Sequence, residues 1–203
     1  TNLFDGKTLE GMQPVGGGKW TVEDGAIVGH QSIADEKTGL MWITKPYENF
    51  AVKLKYKINK GNSGFFFRSQ QIPNDNTGIK GIQVEVDRQP DCGGLYESGG
   101  RGWLCKPSKQ YSKHDQWNEM MVYACGRDVM VWINNKLVVN CDTTNPLLPK
   151  RLHQGAFLNN FAFQLHQRQE VEVRFKDIEI VVPKYVNEEG KEIDMFAGCD
   201  LLH

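Results

Sequence analysis

No Cys-x-x-Cys pair occurs in the 203 residues, so the ligand spacing of a zinc cluster is missing even though five cysteines are present, Cys92, Cys105, Cys125, Cys141 and Cys199. The odd count leaves at least one thiol free. Cys92 and Cys105 share the glycine-rich stretch 90–107, where they either close a loop as a disulfide or stand as isolated buried thiols. Neither sign of charge is in excess, with 24 basic and 25 acidic residues, which removes the electrostatic footprint of a nucleic-acid or anionic-membrane binder. No apolar run approaches the roughly 20 residues of a membrane-spanning helix, so no membrane insertion is expected. Linkers, internal repeats and low-complexity tracts are also lacking, and the expectation is one domain over 1–203. "GGGK" at 16–19 has neither the spacing nor the Ser/Thr of a phosphate loop, so no nucleotide cofactor is expected. "GNSG" at 61–64 does not centre its serine as a nucleophile elbow does. The sequence starts at Thr1 without a signal peptide, which fits a secreted or periplasmic product with its signal removed, or a trimmed chain.

No long segment carries a helical period. What is there instead is a succession of short alternating runs: Trp20–Val22, Ala26–Val28, Leu40–Thr44, Phe50–Ile58, Gly64–Ser69, Ile82–Arg88, Asn118–Ala124, Val129–Ile133, Leu137–Asn140, Ala156–Leu158, Phe161–His166 and Glu170–Val182. Turn signals such as "EDG", "CGRD" and "NNK" separate them. About a dozen such strands, with 21 glycines to turn between them, predict an all-β fold, a two-sheet antiparallel β-sandwich of jelly-roll type.

Strand parity then sorts the polar residues. Outward positions on Phe50–Ile58 carry Lys53, Lys55 and Lys57, an ordinary solvated face. The run 82–88 is different: Ile82, Val84 and Val86 face the core, while Gln83, Glu85 and Asp87 share the other side. In 161–166, Ala162, Gln164 and His166 likewise oppose Phe161, Phe163 and Leu165. "FFFR" at 65–68 puts Arg68 on the same face as Phe66. A guanidinium among phenylalanines needs water or an acid, because burying it unpaired costs several kcal/mol, roughly. The expectation is that Arg68 meets Glu85 or Asp87 on an open, concave sheet face, with His166, Gln83 and Gln164 in the same pocket.

These residues also carry a family resemblance. "LFDGKTLEGM" at 3–12, "WTVEDGAIVG" at 20–29, "KGNSGFFFRSQ" at 60–70 and "FQLHQRQEVEVRF" at 163–175 together resemble the 3-keto-disaccharide hydrolase family, DUF1080, over roughly 3–182. The likeness implies a concanavalin A-like jelly roll, usually exported, acting on glycosides whose C3 hydroxyl has been oxidised to a ketone. It leaves 184–203 as a C-terminal extension without a role. Family members often follow Gln-Leu-His with Gly, where this chain has Gln167, Arg168 and Gln169.

A C3 ketone acidifies the C2 proton, so a base can remove it, the enolate can expel the C1 oxygen, and water can add later. On that reading His166 is the first candidate base and Glu85 the second. Arg68, or a divalent ion with Glu85 and His166 among its ligands, would hold the oxyanion. Gln83, Asp87, Gln164 and Asn62 are candidate partners of sugar hydroxyls, and Tyr96 or Trp103 either stacks on the ring or packs its loop. The partners implied are a carbohydrate substrate and a sugar 3-oxidoreductase that makes the ketone. β-Glucanases of similar fold use Glu-x-Asp-x-Glu; here the stretch reads Gln83-x-Glu85-x-Asp87, and a glutamine cannot be the nucleophile. Direct hydrolysis by Glu85 and Asp87 is one alternative, and a non-catalytic lectin-like domain is another.

Overall fold

The computed structural model describes residues 1–143, 159–181 and 184–194. Its strands build two seven-stranded antiparallel sheets and a separate hairpin. The first sheet runs, in spatial order, β1 (Met12–Gly16), β4 (Gly39–Ile43), β13 (Asn160–Leu165), β6 (Ser63–Gln71), β7 (Ile79–Val86), β8 (Leu95–Ser98) and β9 (Gly102–Cys105). The second runs β12 (Lys136–Asp142), β11 (Asp128–Ile133), β10 (Asn118–Cys125), β5 (Phe50–Lys60), β14 (Val171–Val181), β3 (Ala26–Gln31) and β2 (Lys19–Glu23). The hairpin pairs β15 (Lys184–Val186) with β16 (Glu192–Asp194). This is the expected two-sheet jelly roll. The expected strand Ala156–Leu158 lies outside the described residues.

Alternation explains the core. Inward residues of both sheets pack Phe50, Tyr56, Phe65, Phe67, Phe161, Phe163 and Phe175 into one fully buried cluster. Phe163 of the first sheet stacks on Phe175 of the second with ring centroids 4.1 Å apart, and Phe50 meets Phe161 edge-on at 4.7 Å. Each buried side chain of this size contributes about 1.5–3 kcal/mol. A smaller cluster, Leu40, Trp42, Phe66, Ile79 and Ala162, occupies the opposite face of the first sheet.

Arg68 departs from the expected parity. The register of β6 against β7 shifts between Phe67 and Gln70, and Arg68 sits in that bulge with φ 51°. Its side chain consequently leaves the Phe66 face: Nη2 donates to the Glu48 carbonyl, 3.4 Å away, in the segment that leads into β5 of the other sheet. Burial lowers its pKa to about 10, with Glu48 acting in the opposite sense, so it stays a cation at neutral pH.

The glycine-rich segment is ordered into a hairpin, β8 and β9, which hid from pattern reading because each strand is only four residues long and glycines surround it. The Arg101 guanidinium binds Glu97 Oε2 at 2.6 Å and donates to the Thr143 carbonyl beyond β12, tying the hairpin to the other sheet. Both side chains are almost fully buried, where a charge is tolerated only with its partner. β1 escaped notice through Pro14, which is harmless on an edge strand. Cys92 and Cys105 do not bond to each other; both are free thiols, as is Cys141, whereas Cys125 is disulfide-bonded. The reason is direction. Cys92 Sγ turns inward to the Tyr56 hydroxyl and the Glu85 carbonyl, while the Cys105 thiol contacts Cys141 on β12.

Candidate functional site

Three neighbouring strands of the first sheet, β13, β6 and β7, assemble a grid on the face turned away from the second sheet. Cα pairing sets Gln83 opposite Phe66, Phe66 opposite Ala162, and Ala162 opposite Trp42. Two residues along, Glu85 faces Gly64, Gly64 faces Gln164, and Gln164 faces Leu40. Beyond β13 the His166 amide donates to the Asn62 carbonyl, which carries the grid one step further. The first row is apolar apart from Gln83, the second is polar around a bare glycine, and the third holds the imidazole.

A cavity of about 270 Å3 opens over this grid, lined by Asn62, Gln83, Glu85, Tyr96, Gln164 and His166, and also by Thr38, Thr77, Ile79, Ser98 and Gln167. Six of the nine residues singled out from the sequence are therefore together. Asp87 stands behind the wall: its oxygens accept from the Gln89 amide and from Asn62 Nδ2. Trp103 braces Tyr96 edge-on, centroids 5.4 Å apart, and so packs the hairpin rather than the cavity. Arg68 does not line the cavity, which corrects the expectation that it would meet Glu85 or Asp87. Of the residues pattern reading missed, Thr77 comes from a loop and carries no strand signal. Thr38 and Gln167 flank strands on either side of the rim, where the Thr38 hydroxyl donates to Gln167 Oε1 at 2.5 Å. Gln167 was visible only as a departure from the family's glycine. A larger depression, about 440 Å3, lies at the β2–β3–β14 edge, but it is lined mostly by exposed side chains such as Lys19, His30, Lys60 and Glu170.

Glu85 is 7 % exposed, and among the described residues no cation pairs with it. Gln83 Nε2 donates to its Oε1 at 2.8 Å and Asn62 Nδ2 to its Oε2 at 3.1 Å. Burial outweighs these bonds and, with Asp87 and Asp91 near, pushes its pKa up to about 8. Burial raises Asp87 as well, to about 6. Burial thus favours the neutral carboxylic acid of Glu85 at pH 7, a form able to donate its own proton.

His166 is held by a contact of 2.8 Å between Nδ1 and the Gln167 carbonyl. A carbonyl only accepts, so Nδ1 carries the hydrogen and Nε2 is the basic nitrogen. Gln169 Nε2 lies 3.4 Å from the same Nδ1 and is subordinate to that shorter bond.

Glu85 offers a test by stability. The native state keeps its proton between the ordinary pKa of 4.5 and about 8, where the unfolded chain has lost it. Its contribution is fully present below about pH 4.5 and is lost as pH rises through about 8. Each pH unit in that window costs up to ~1.4 kcal/mol. Glu85→Gln removes the penalty, so its Tm should exceed the wild type's by about 5–10 °C at pH 8.5 and by much less at pH 5. Thermal melts at the two pH values check this; an equal offset at both would contradict it.

Among the described residues no group of three or more His, Cys, Asp or Glu is placed to hold an ion. Glu85 and His166 supply two donors, and both Glu85 oxygens already accept amide hydrogens.

An all-β jelly roll with a polar cavity on one sheet fits a carbohydrate ligand, and the comparisons point to the same class. The model of the 3-keto-alpha-glucoside-1,2-lyase-like domain matches residues 1–181, and the chain belongs to that family. A Parabacteroides distasonis protein provisionally called a glycosyl hydrolase superposes with TM-score 0.68 at 25 % identity, covering 89 % of this chain and 92 % of that one. A carbohydrate-binding module from Bacillus subtilis gives TM-score 0.59 at 16 % identity over 84 % and 94 % of the two chains. A galectin-like B. subtilis protein of unknown function gives 0.63 at 12 % over 85 % and 89 %. Among curated proteins none matches.

Proposed function

We propose that the chain cleaves 3-keto-glycosides by elimination across C2 and C1 followed by hydration. The observation that carries this reading is a neutral carboxyl, Glu85, sharing one cavity with an imidazole whose basic Nε2 is fixed by a bond at Nδ1. His166 Nε2 takes the C2 proton. Glu85 donates to the C3 oxygen as charge gathers there, the role first assigned to Arg68 or a metal. Re-forming the ketone drives out the C1 oxygen, which leaves as an alcohol with the proton from His166, and a C1–C2 double bond conjugated to the ketone remains. Water then adds its oxygen to C1 and a proton returns to C2, giving the free 3-keto sugar.

The substrate's ketone must come from an oxidoreductase acting on the sugar's C3 hydroxyl. The disulfide at Cys125 supports export to an oxidising compartment. Hydrolysis by a carboxylate nucleophile is less well supported, because Asp87 is outside the cavity and both carboxyls are shifted toward the neutral form. A lectin-like domain is the second reading, since a carbohydrate-binding module shares the fold, and one assay separates the two. The proposal expects aglycone release from a 3-keto-glucoside and none from the parent glucoside; binding of both without turnover would support the lectin.

A further inference from the structure

Two amide oxygens in the cavity, Gln83 Oε1 and Gln164 Oε1, are buried and accept no hydrogen bond among the described residues. The side chains are 5 % and 6 % exposed, so bulk water does not serve them. Gln83 is fixed in orientation: its Nε2 is committed to Glu85, and Oε1 is the end turned away. Both oxygens point at one spot. A Cβ on Gly64 would lie 2.2 Å from Gln83 Oε1 and 3.3 Å from Gln164 Oε1. Gly64 is not among the glycines with positive φ, so the backbone does not require it; the missing side chain is what lets the two amide oxygens converge, with Gln83 Oε1 seated where a Cβ would lie. Buried acceptors without donors are rare in folded proteins. Two of them converging over Gly64 in the cavity wall fit hydroxyl groups, and they fit neither a ketone nor an anion, which have no hydrogen to give.

We propose that Gln83 and Gln164 receive the two hydroxyls that follow the ketone around the ring, those on C4 and C6, so that the substrate is a terminal 3-keto-hexopyranoside with C4 unsubstituted. This rests on the elimination reading, which sets C2 at His166 and the C3 oxygen at Glu85. Glu85, Gly64 and Gln164 form one cross-strand row, so the carbon beyond C3 falls over Gly64. C1 lies on the other side of C2, and its leaving group exits past His166 and Gln167. The cavity of about 270 Å3 admits one ring, being smaller than the roughly 300–1,000 Å3 of sites for drug-sized ligands. A sugar linked through O4 has no hydrogen there and would press its next residue onto Gly64.

The test uses a probe with no aglycone to release: the 3-keto form of 1,5-anhydroglucitol, whose C1 keeps only the ring oxygen, with its 4-deoxy and 4-O-methyl derivatives. Calorimetric titration of the full chain should show the derivatives binding about 10- to 100-fold more weakly than the parent. Gln164→Met should compress that difference to about threefold or less. Equal affinity of parent and 4-deoxy probe for the unmodified chain overturns the inference, as does no binding of the parent. The ligand series decides even where the variant fails to fold. It also stands apart from the reaction: hydroxyl-dependent binding by a chain that releases no aglycone supports this recognition and removes the elimination.

Discussion

His166→Ala should slow aglycone release from a 3-keto-glucoside by roughly 10²–10⁴, the range lost when a positioned base is deleted. Its Tm should stay near that of the unmodified chain, because the imidazole is half-buried at the end of β13 and its Nδ1 bond to Gln167 is local. Glu85→Gln should be milder, about tenfold, since the amide still presents a neutral N–H to the developing oxyanion. It should also change the pH profile. Wild-type activity should fall as pH rises through about 8, where Glu85 loses its proton, and the glutamine variant should lack that alkaline limb. Steady-state rates from pH 6 to 9.5 on all three proteins separate the roles. A mild His166→Ala effect with abolished activity in Glu85→Gln would make Glu85 the base.

Most of this site was legible from alternation alone. A pleated strand throws every second side chain to one face, and that rule grouped Gln83 and Glu85 of β7, and Gln164 of β13 with His166 just beyond its end, without any knowledge of which strands are neighbours. The same rule misplaced Arg68, because parity assumes an unbroken pleat. The bulge between Phe67 and Gln70 reverses the faces, and nothing in "FFFRSQQ" announces it. The consequence reached the chemistry. With Arg68 directed to Glu48, Glu85 is left in a cavity wall with amide partners only, and its pKa rises instead of falling. Loop contributions such as Thr77 were beyond reach for a different reason: their position depends on where the β6–β7 connection folds back, not on a period. Gln83 could be assigned a sugar hydroxyl from its residue type. Its two ends have separate duties, the nitrogen holding Glu85 and the oxygen facing Gly64, and that division exists only in three dimensions.

The fate of the hydrogen on C2 tests the central claim most directly. Elimination removes it and hydration replaces it with a proton from solvent, whereas direct hydrolysis breaks only the bond to C1 and leaves it in place. Turnover of a 3-keto-glucoside in heavy water, sampled early and corrected with a no-enzyme control for exchange beside the ketone, should give a released 3-keto sugar carrying deuterium at C2. His166→Ala should lower label and release together. Full release of a sugar still bearing its original C2 hydrogen would contradict the elimination and return the reaction to a hydrolytic mechanism.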